Sequence, residues 1–238
     1  QRVKDAIVDQ FRERTGQRPS VDRDEPWVRV NVHAWRGAAS VAIDLSGDSL
    51  HRRGYRGAQG AAPLKENLAA AILLRTGWPA IAGAGGYFVD PMCGSGTLPI
   101  EAALIAADFA PGLLRARFGF ERWRLHDAAA WAQAVADAES RRDPDRLAPG
   151  RILCCDRNPL VLRDAEANAV RAGLGEGIEF RRCALEQLPA ARAPAGLVAV
   201  NPPYGERIGE TEELRALYAL LGERLRAGYR GWEAAVFT

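Results

Sequence analysis

The chain has little of what marks a membrane protein or a metal protein. No apolar run among its 238 residues approaches the roughly 20 residues that cross a bilayer, and the segment from Gln1 to Asp5 is not a signal peptide. The four cysteines lack the paired spacing of zinc sites. We therefore expect no membrane partner, no metal and a cytoplasmic location, with all four thiols buried and reduced.

A strong excess of charge of one sign is also missing. The formal net charge is only +2, so no overall basic field indicates a nucleic-acid partner. Lysine occurs only at Lys4 and Lys65, and nearly all the basic residues are arginines. Arginines mix with aromatic residues in Arg52–Arg56 and Arg115–Trp123, and both side-chain types contact phosphates and unstacked bases. A solvated arginine-rich face is an equally good interpretation of either cluster alone.

The first fifty residues carry the pattern of a small α/β unit. Residues 1–15 have helical spacing, and 27–33 and 40–45 alternate apolar and polar residues as strands do, on either side of a turn at Arg36-Gly37. A helix and one hairpin bury too little to fold alone. We interpret residues 1–57 as the last part of a larger α/β module.

A glycine-rich turn then follows a short apolar strand. Residues 86–90 read as a buried strand and 98–105 as a helix, so the turn lies where backbone approaches ligands at the carboxyl edge of a parallel sheet. Pro99 replaces the third glycine of the dinucleotide fingerprint, which disfavours pyrophosphate. The carboxylate of Asp90 suits a cationic amino-acid group instead. The candidate cofactor-binding residues here are Asp90, Pro91, Cys93, Gly94, Ser95, Gly96 and Thr97.

The next predicted strand, 151–155, ends at an acid. Asp156 at the tip of a second strand is well placed to accept both ribose hydroxyls of an adenosine. The alternative is that Asp156 or Asn158 caps the helix that follows, with Pro159 at its first position. Both roles are compatible, with Asp156 on the ribose and Asn158 as the cap, and we predict that both residues contact the cofactor.

The most informative motif is Asn201-Pro202-Pro203-Tyr204, directly after the apolar run 197–200. The Asn201 side-chain oxygen and the Pro202 carbonyl can each accept one hydrogen of an amine, and Tyr204 can stack on a ring. The prolines have no N–H donors and a fixed φ. The motif suits a planar ring with an exocyclic amine, although a Pro-Pro turn with a surface tyrosine is the alternative for the tetrapeptide alone.

Taken in order, the glycine loop, the ribose acid and the Asn-Pro-Pro-Tyr motif resemble class I methyltransferases that use S-adenosylmethionine and modify exocyclic amines. A wider set of segments resembles the RlmL family of bacterial 23S rRNA guanine-N2 methyltransferases, which join an RNA-binding THUMP domain to a methyltransferase domain. These segments are Leu45–Gly47, His51–Arg56, Ala62–Ala69, Asp90–Thr97, Phe118–Phe120 with Trp123, and Asn201–Arg207.

The resemblance implies a domain organisation. Residues 1–57 would be the end of THUMP, 58–80 a linker and leading helix, and 81–238 the methyltransferase domain with an α/β, Rossmann-like sheet. Family members have strands beyond the fifth, whereas this chain ends with the predicted fifth strand at 233–238. We therefore expect a sheet that lacks its last two strands.

The resemblance also implies the reaction and its residues. A methyl group would pass from S-adenosylmethionine to the N2 amine of a guanine in 23S ribosomal RNA, with Asn201, Pro202, Pro203 and Tyr204 as catalytic residues. The RNA-binding residues would be Arg52, Arg53, Tyr55, Arg56 and Arg207. A tRNA guanine-N2 or an adenine-N6 methyltransferase, or a non-catalytic RNA-binding fragment, are the alternatives.

One position departs from the family pattern. The third strand, 178–180, leads to Ala184, where the family usually has an aspartate that meets the adenine amine. The Ala184 side chain cannot accept that hydrogen bond. Either the backbone near Ala184 and Leu185 binds the adenine, or Glu186 substitutes, or cofactor affinity is reduced.

Overall fold

The computed structural model describes residues 2–22, 24, 26, 28–57, 64–203 and 211–238. The chain forms two compact units, one made of Gln1–Ser49 with Arg117–Ala132 and the other of Leu50–Ala116 with Gln133–Thr238. No helix within these described ranges is long and apolar enough to cross a membrane.

The first unit contains the predicted helix and hairpin. Helix α1 spans Arg2–Thr15, and strands β1 (Arg29–Trp35) and β2 (Ala38–Asp44) pair antiparallel. The turn between them uses left-handed backbone at Arg36 (φ 47°) and Gly37 (φ 80°), as two-residue hairpin turns require. Both strands lie within two residues of the predicted bounds.

The insertion at 117–132 packs in this unit against the end of the hairpin. The Phe120 N–H donates to the Leu45 carbonyl at 2.9 Å. A Cβ on Gly119 would lie 2.6 Å from the Gly47 nitrogen, so the two backbones meet where only glycine fits.

The second unit is built around a parallel sheet with helices on its faces. Its strands are β3 (Tyr87–Asp90), β4 (Ile152–Asp156), β5 (Glu179–Arg182), β6 (Gly196–Val200) and β7 (Glu233–Val236). The α-helices in the rest of the described residues are α2 (Glu66–Arg75), α3 (Trp78–Gly83), α4 (Thr97–Ala106), α5 (Ala128–Arg141), α6 (Pro159–Arg171) and α7 (Thr211–Gly228).

The strand order is β5-β4-β3-β6-β7 and every pairing is parallel. Since β3 lies between β4 and β6, the strand order reverses there, which is where ligands bind in open α/β sheets. All five residues of β6 are buried, as expected for a central parallel strand. The predicted α/β, Rossmann-like sheet is confirmed.

Helix α4 begins directly at the glycine loop and is buried nearly all round. Nine of its ten residues are buried, including Pro99 and Glu101, which fits its almost continuous apolar sequence. Pro99 is tolerated because the first turn of a helix has no internal partner for its N–H groups. All four cysteines are free and buried, as predicted.

Candidate active site

The glycine loop between β3 and α4 depends on two glycines for different reasons. Gly94 (φ 53°) and Gly96 (φ 82°) both have left-handed backbone, which favours glycine. A Cβ on Gly96 would lie 2.9 Å from the Ala165 Cβ on α6, whereas one on Gly94 would meet nothing within 4 Å. Gly96 therefore lets α4 pack on α6, and the loop beside Gly94 is open.

Backbone hydrogen bonds tie this loop to the end of β4. The Cys93 N–H donates to the Cys155 carbonyl at 2.9 Å, and the Gly96 N–H donates to the Cys93 carbonyl at 2.9 Å. The Gly94 N–H donates to Asp156 Oδ2 at 3.0 Å. The loop conformation is thus set within the protein.

Asp90 shapes the start of the loop from a buried position. The residue is 1% exposed, and its Oδ1 accepts the Met92 N–H at 3.1 Å. Burial raises the pKa of Asp90 well above its ordinary value, and the nearby Asp156 carboxylate raises it further. The contact of Asp90 with a cationic ligand group stays a prediction.

Asp156 and Asn158 form two successive hydrogen bonds that lead into α6. Asp156 Oδ1 accepts the Asn158 N–H at 2.8 Å, and Asn158 Oδ1 accepts the Leu160 N–H at 3.0 Å. Asn158 is the N-cap of α6 with Pro159 in the first turn, so the predicted cap is confirmed. Its contact with a cofactor stays a prediction.

A cavity of about 590 Å³ opens at the carboxyl ends of the strands. It brings together five of the predicted site residues: Pro91, Asp156, Ala184, Leu185 and Pro203. Met92, Arg157, Cys183 and Glu186 complete that side of its lining. The residues predicted from separate strands therefore surround one space.

Helix α7 supplies the rest of the lining, which the sequence analysis missed. These residues are Glu213, Ala216, Leu217 and Leu220. Leu217, Leu220 and Leu221 recur with helical spacing, a signal for an amphipathic helix. That signal predicts a buried face but not the cavity that the face covers.

Asn201 presents a buried acceptor where β6 ends. Its Oδ1 is buried and accepts no hydrogen bond from the part of the chain that the structure describes. Pro202 is buried, and Pro203 lines the cavity. Buried polar atoms are nearly always hydrogen-bonded, so an unpaired one calls for a ligand or another explanation. Tyr204 and Arg207 lie outside the described residues.

Tyr55 and Arg56, which are predicted to contact RNA, have partners for their side chains within the protein, and their RNA contacts stay predictions. Tyr55 is 1% exposed, and its hydroxyl donates to Glu101 Oε1 at 3.2 Å. The Arg56 Nε lies 3.1 Å from Glu66 Oε1, and the arginine side chain is 10% exposed. Buried polar and charged groups need partners, and both side chains have a carboxylate partner inside the protein.

The other two predicted RNA-binding arginines differ from each other. The Arg53 Nε lies 3.4 Å from Glu101 Oε1, and its side chain is 15% exposed. Arg52 is exposed. Burial raises the pKa of Glu101, while Arg53 opposes that rise. Glu101 therefore supports the fold through Arg53 and Tyr55, and the RNA contacts of Arg52 and Arg53 stay predictions.

Comparison with known proteins places this geometry in a family. The model of the UPF0020 family, described as RMKL-like, methyltransferase domain, matches residues 53–238, and the THUMP domain model matches residues 1–44. The chain belongs to the UPF0020 family of methyltransferase domains. Within the described residues, no group of three or more His, Cys, Asp or Glu is arranged to hold a metal ion.

Curated relatives carry one shared name. A protein of Syntrophotalea carbinolica is 55% identical over 240 residues, and one of Allochromatium vinosum is 54% identical over 237. Both are named ribosomal RNA large subunit methyltransferase K/L. The alignments cover 100% and 99% of this chain but only 34% and 32% of those proteins, so the chain spans about a third of their length.

Solved structures share the fold over nearly the whole chain. A Listeria monocytogenes protein described as a predicted N6-adenine-specific DNA methylase has a TM-score of 0.84 at 38% identity. SMU.472, crystallised in complex with SAH, has a TM-score of 0.84 at 34% identity. Each alignment covers 98% of this chain and 59% of the other.

Proposed function

We propose that this chain transfers a methyl group from S-adenosylmethionine to the N2 amine of a guanine in 23S ribosomal RNA. The observation that carries the proposal is the buried, unpaired Asn201 Oδ1 at the carboxyl end of β6. Two residues later, Pro203 lines the cavity that Asp156 also lines. An acceptor for an amine therefore lies beside the space that suits a nucleoside cofactor.

The cavity and the glycine loop fit S-adenosylmethionine. Asp156 reaches the cavity from the tip of the second strand of the sheet, the position that binds ribose hydroxyls in this architecture. The open backbone at Gly94 leaves room for the amino-acid portion beside the loop. When bound, this cofactor supplies a methyl group activated by a sulfonium charge. The relative SMU.472 was crystallised with SAH, which supports the proposal.

The adenine pocket would be completed without the usual carboxylate. Ala184, Leu185 and Glu186 all line the cavity. Ala184 offers only backbone groups, whereas the Glu186 carboxylate can accept a hydrogen bond from an amine. We infer that adenine lies against this segment.

The Asn201 region would activate the accepting amine by position and electrostatics. The exocyclic amine of guanine is a poor nucleophile because its lone pair is delocalised into the ring. Acceptance of its hydrogens by Asn201 Oδ1 and the Pro202 carbonyl favours a pyramidal nitrogen and stabilises the positive charge that develops. No strong general base is needed, since the methylated nitrogen loses its proton readily.

The relatives support ribosomal RNA as the substrate. Those at 55% and 54% identity are named large-subunit rRNA methyltransferases, and the match of residues 1–44 to THUMP suits an RNA substrate. We accordingly propose large-subunit RNA as the partner and the cytoplasm as the location. The alternative is adenine N6 of DNA, which the name of the Listeria relative favours.

The test is methyl transfer with labelled donor to three substrates: unmodified 23S rRNA, tRNA and duplex DNA. Calorimetric titration with S-adenosylhomocysteine runs beside it to establish cofactor binding. We expect label in 23S rRNA and saturable binding of S-adenosylhomocysteine. Label that enters only DNA or only tRNA would contradict the substrate, and absence of binding would contradict the cofactor.

A further inference from the structure

Asn168 on α6 joins two distant parts of the second unit through one buried amide. The residue is 3% exposed. Its Nδ2 donates to the Ser95 carbonyl in the glycine loop at 2.9 Å. Its Oδ1 accepts the Gly57 N–H at 3.1 Å. The side chain therefore connects the loop to a segment that precedes it by almost forty residues.

The orientation of the Asn168 amide is fixed by its neighbours. Arg171 also donates to Asn168 Oδ1, from Nη2 at 2.5 Å. An amide oxygen accepts and an amide nitrogen donates, so two donors on one side settle which atom is the oxygen. The nitrogen must then face the Ser95 carbonyl.

The segment Arg53–Gly57, which we call the strap, is itself firmly held. Arg53 and Tyr55 both contact Glu101 on α4. Arg56 donates to Thr97 Oγ1 at 2.9 Å, at the first residue of α4, and pairs with Glu66 on α2. The strap is thus a fixed support for Asn168 and not a loose partner.

Arg171 closes the same arrangement from α6. Its Nε donates to the Tyr55 carbonyl at 2.7 Å. A Cβ on Gly57 would lie 2.7 Å from Arg171 Nη2, so the glycine leaves room for this contact. Helices α4 and α6, which begin at the glycine loop and just after Asp156, are therefore braced by one strap.

The Ser95 carbonyl is the point where this support reaches the ligand-binding loop. Ser95 stands between Gly94 and Gly96, whose backbone dihedrals no side chain restricts. The peptide plane that joins Ser95 to Gly96 is held by two hydrogen bonds, one from Asn168 Nδ2 to its carbonyl and one from its N–H to the Cys93 carbonyl. Without the Asn168 bond, only the second would restrain a plane that has a glycine on each side.

We propose that Asn168 is a positioning residue for the cofactor, which holds the glycine loop in its binding conformation before the ligand arrives. The proposal rests on the proposed function, because it assumes that the loop binds S-adenosylmethionine. Preorganisation of this kind raises affinity by removing the ordering cost from the binding step.

The test uses Asn168→Asp, which removes the donor to Ser95 and keeps an acceptor for Gly57 and Arg171. The matched control is Trp78→Phe, because the Trp78 Nε1 donates to the Ala102 carbonyl at 2.9 Å. Each variant loses one buried bond from a side-chain N–H to a backbone carbonyl, but only the first touches the loop. The measurements are the dissociation constant of S-adenosylhomocysteine and amide hydrogen exchange in the ligand-free chain.

We expect Asn168→Asp to weaken S-adenosylhomocysteine binding about tenfold. It should also speed exchange of the Gly96 amide relative to the Val198 amide of β6. Trp78→Phe should lower the melting temperature and leave both quantities unchanged. Unaltered affinity and unaltered Gly96 exchange in Asn168→Asp would overturn the proposal.

Two further outcomes remain decisive. If the unmodified chain does not bind S-adenosylhomocysteine, the proposed function fails, while the exchange comparison still tests the support of the loop. If Asn168→Asp does not fold, the rate of amide hydrogen exchange in the unmodified chain tests the proposal instead. The proposal requires its Gly96 amide to exchange nearly as slowly as Val198, and rapid exchange of Gly96 alone would overturn it.

Discussion

The Gly94 N–H donates to Asp156 Oδ2 at 3.0 Å, so the acid at the tip of β4 is also part of the glycine loop. The other oxygen of Asp156 accepts the Asn158 N–H at 2.8 Å. One carboxylate therefore holds the two loops that border the cavity. Its loss would affect both the proposed ribose contact and the shape of the loop.

Two substitutions of Asp156 should weaken cofactor binding to different extents. Asp156→Asn keeps one oxygen as an acceptor, so we expect S-adenosylhomocysteine affinity to fall about tenfold. Asp156→Ala removes both acceptors and should lower affinity further. Calorimetric titration measures both, and equal affinities of Asp156→Ala and the unmodified chain would contradict the assignment.

Asn201→Ala should separate chemistry from binding. Removal of one group that stabilises developing charge costs about 10²–10³ in turnover, and we expect a loss of that size in single-turnover methyl transfer. S-adenosylhomocysteine affinity should stay within about twofold of the unmodified chain's. Asn201 Oδ1 accepts no hydrogen bond from the described residues, so the substitution removes no such bond between Oδ1 and those residues.

The control for Asn201→Ala is its melting temperature. A value near that of the unmodified chain shows that the fold is intact. Loss of cofactor binding together with turnover would mean that Asn201 is structural, not catalytic.

The buried pair of Arg56 and Glu66 should be sensitive to loss of one partner. Their side chains are only 10% and 5% exposed. Arg56→Met leaves the Glu66 carboxylate without this cation, so we expect the free energy of unfolding to fall by about 3–5 kcal/mol. Urea denaturation measures the change.

The matched control is Arg141→Met on α5. Arg141 pairs with Asp137 at 3.5 Å, and their side chains are 53% and 65% exposed. Exposed pairs contribute about 0–1 kcal/mol, so the control should be nearly neutral. The double variant Arg56→Met with Glu66→Met should recover part of the lost stability; no recovery would argue against a charge effect.

Asp90 should give the folded chain a distinct pH dependence. Burial raises the pKa of Asp90 in the folded state well above its ordinary value of 3.8, so the folded state keeps this proton when the unfolded state has lost it. Its contribution to stability is full below the unfolded pKa and declines as pH rises towards the folded pKa. The slope is at most about 1.4 kcal/mol per pH unit.

The comparison variant is Asp90→Asn, which keeps an acceptor for the Met92 N–H and cannot titrate. Its stability should decline less than that of the unmodified chain as pH rises above 4, and it should be the more stable of the two at neutral pH. Urea denaturation across pH measures both profiles. Parallel profiles would contradict the assigned shift.

The sequence pattern was sufficient to predict which residues lie at the carboxyl edge of the sheet, because the end of a strand is a local feature of the sequence. Pro91, Asp156 and Pro203 lie at or within three residues of the end of an apolar run, and parallel strands bring their carboxyl ends to one edge. For this reason Pro91, Asp156 and Pro203 were predicted from separate segments and line one cavity.

Pairing between distant segments is what the sequence could not supply. The sequence did not show that Arg56 pairs with Glu66 or that Tyr55 donates to Glu101. One signal was present, since Glu101 lies in the apolar run Leu98–Ile105, and a buried carboxylate there requires a cation or hydroxyl partner. The same limit applies to α7. The spacing of its leucines predicts an apolar face, but the position of that face over the cavity depends on tertiary packing.

The most direct test of the central claim is identification of the methylated nucleoside. The chain is incubated with labelled S-adenosylmethionine and 23S rRNA that lacks its modifications, and the RNA is digested and separated into nucleosides. We predict label in N2-methylguanosine, and its loss in Asn201→Ala. Label in N6-methyladenosine would contradict the account. So would RNA that stays unlabelled although the unmodified chain binds S-adenosylhomocysteine.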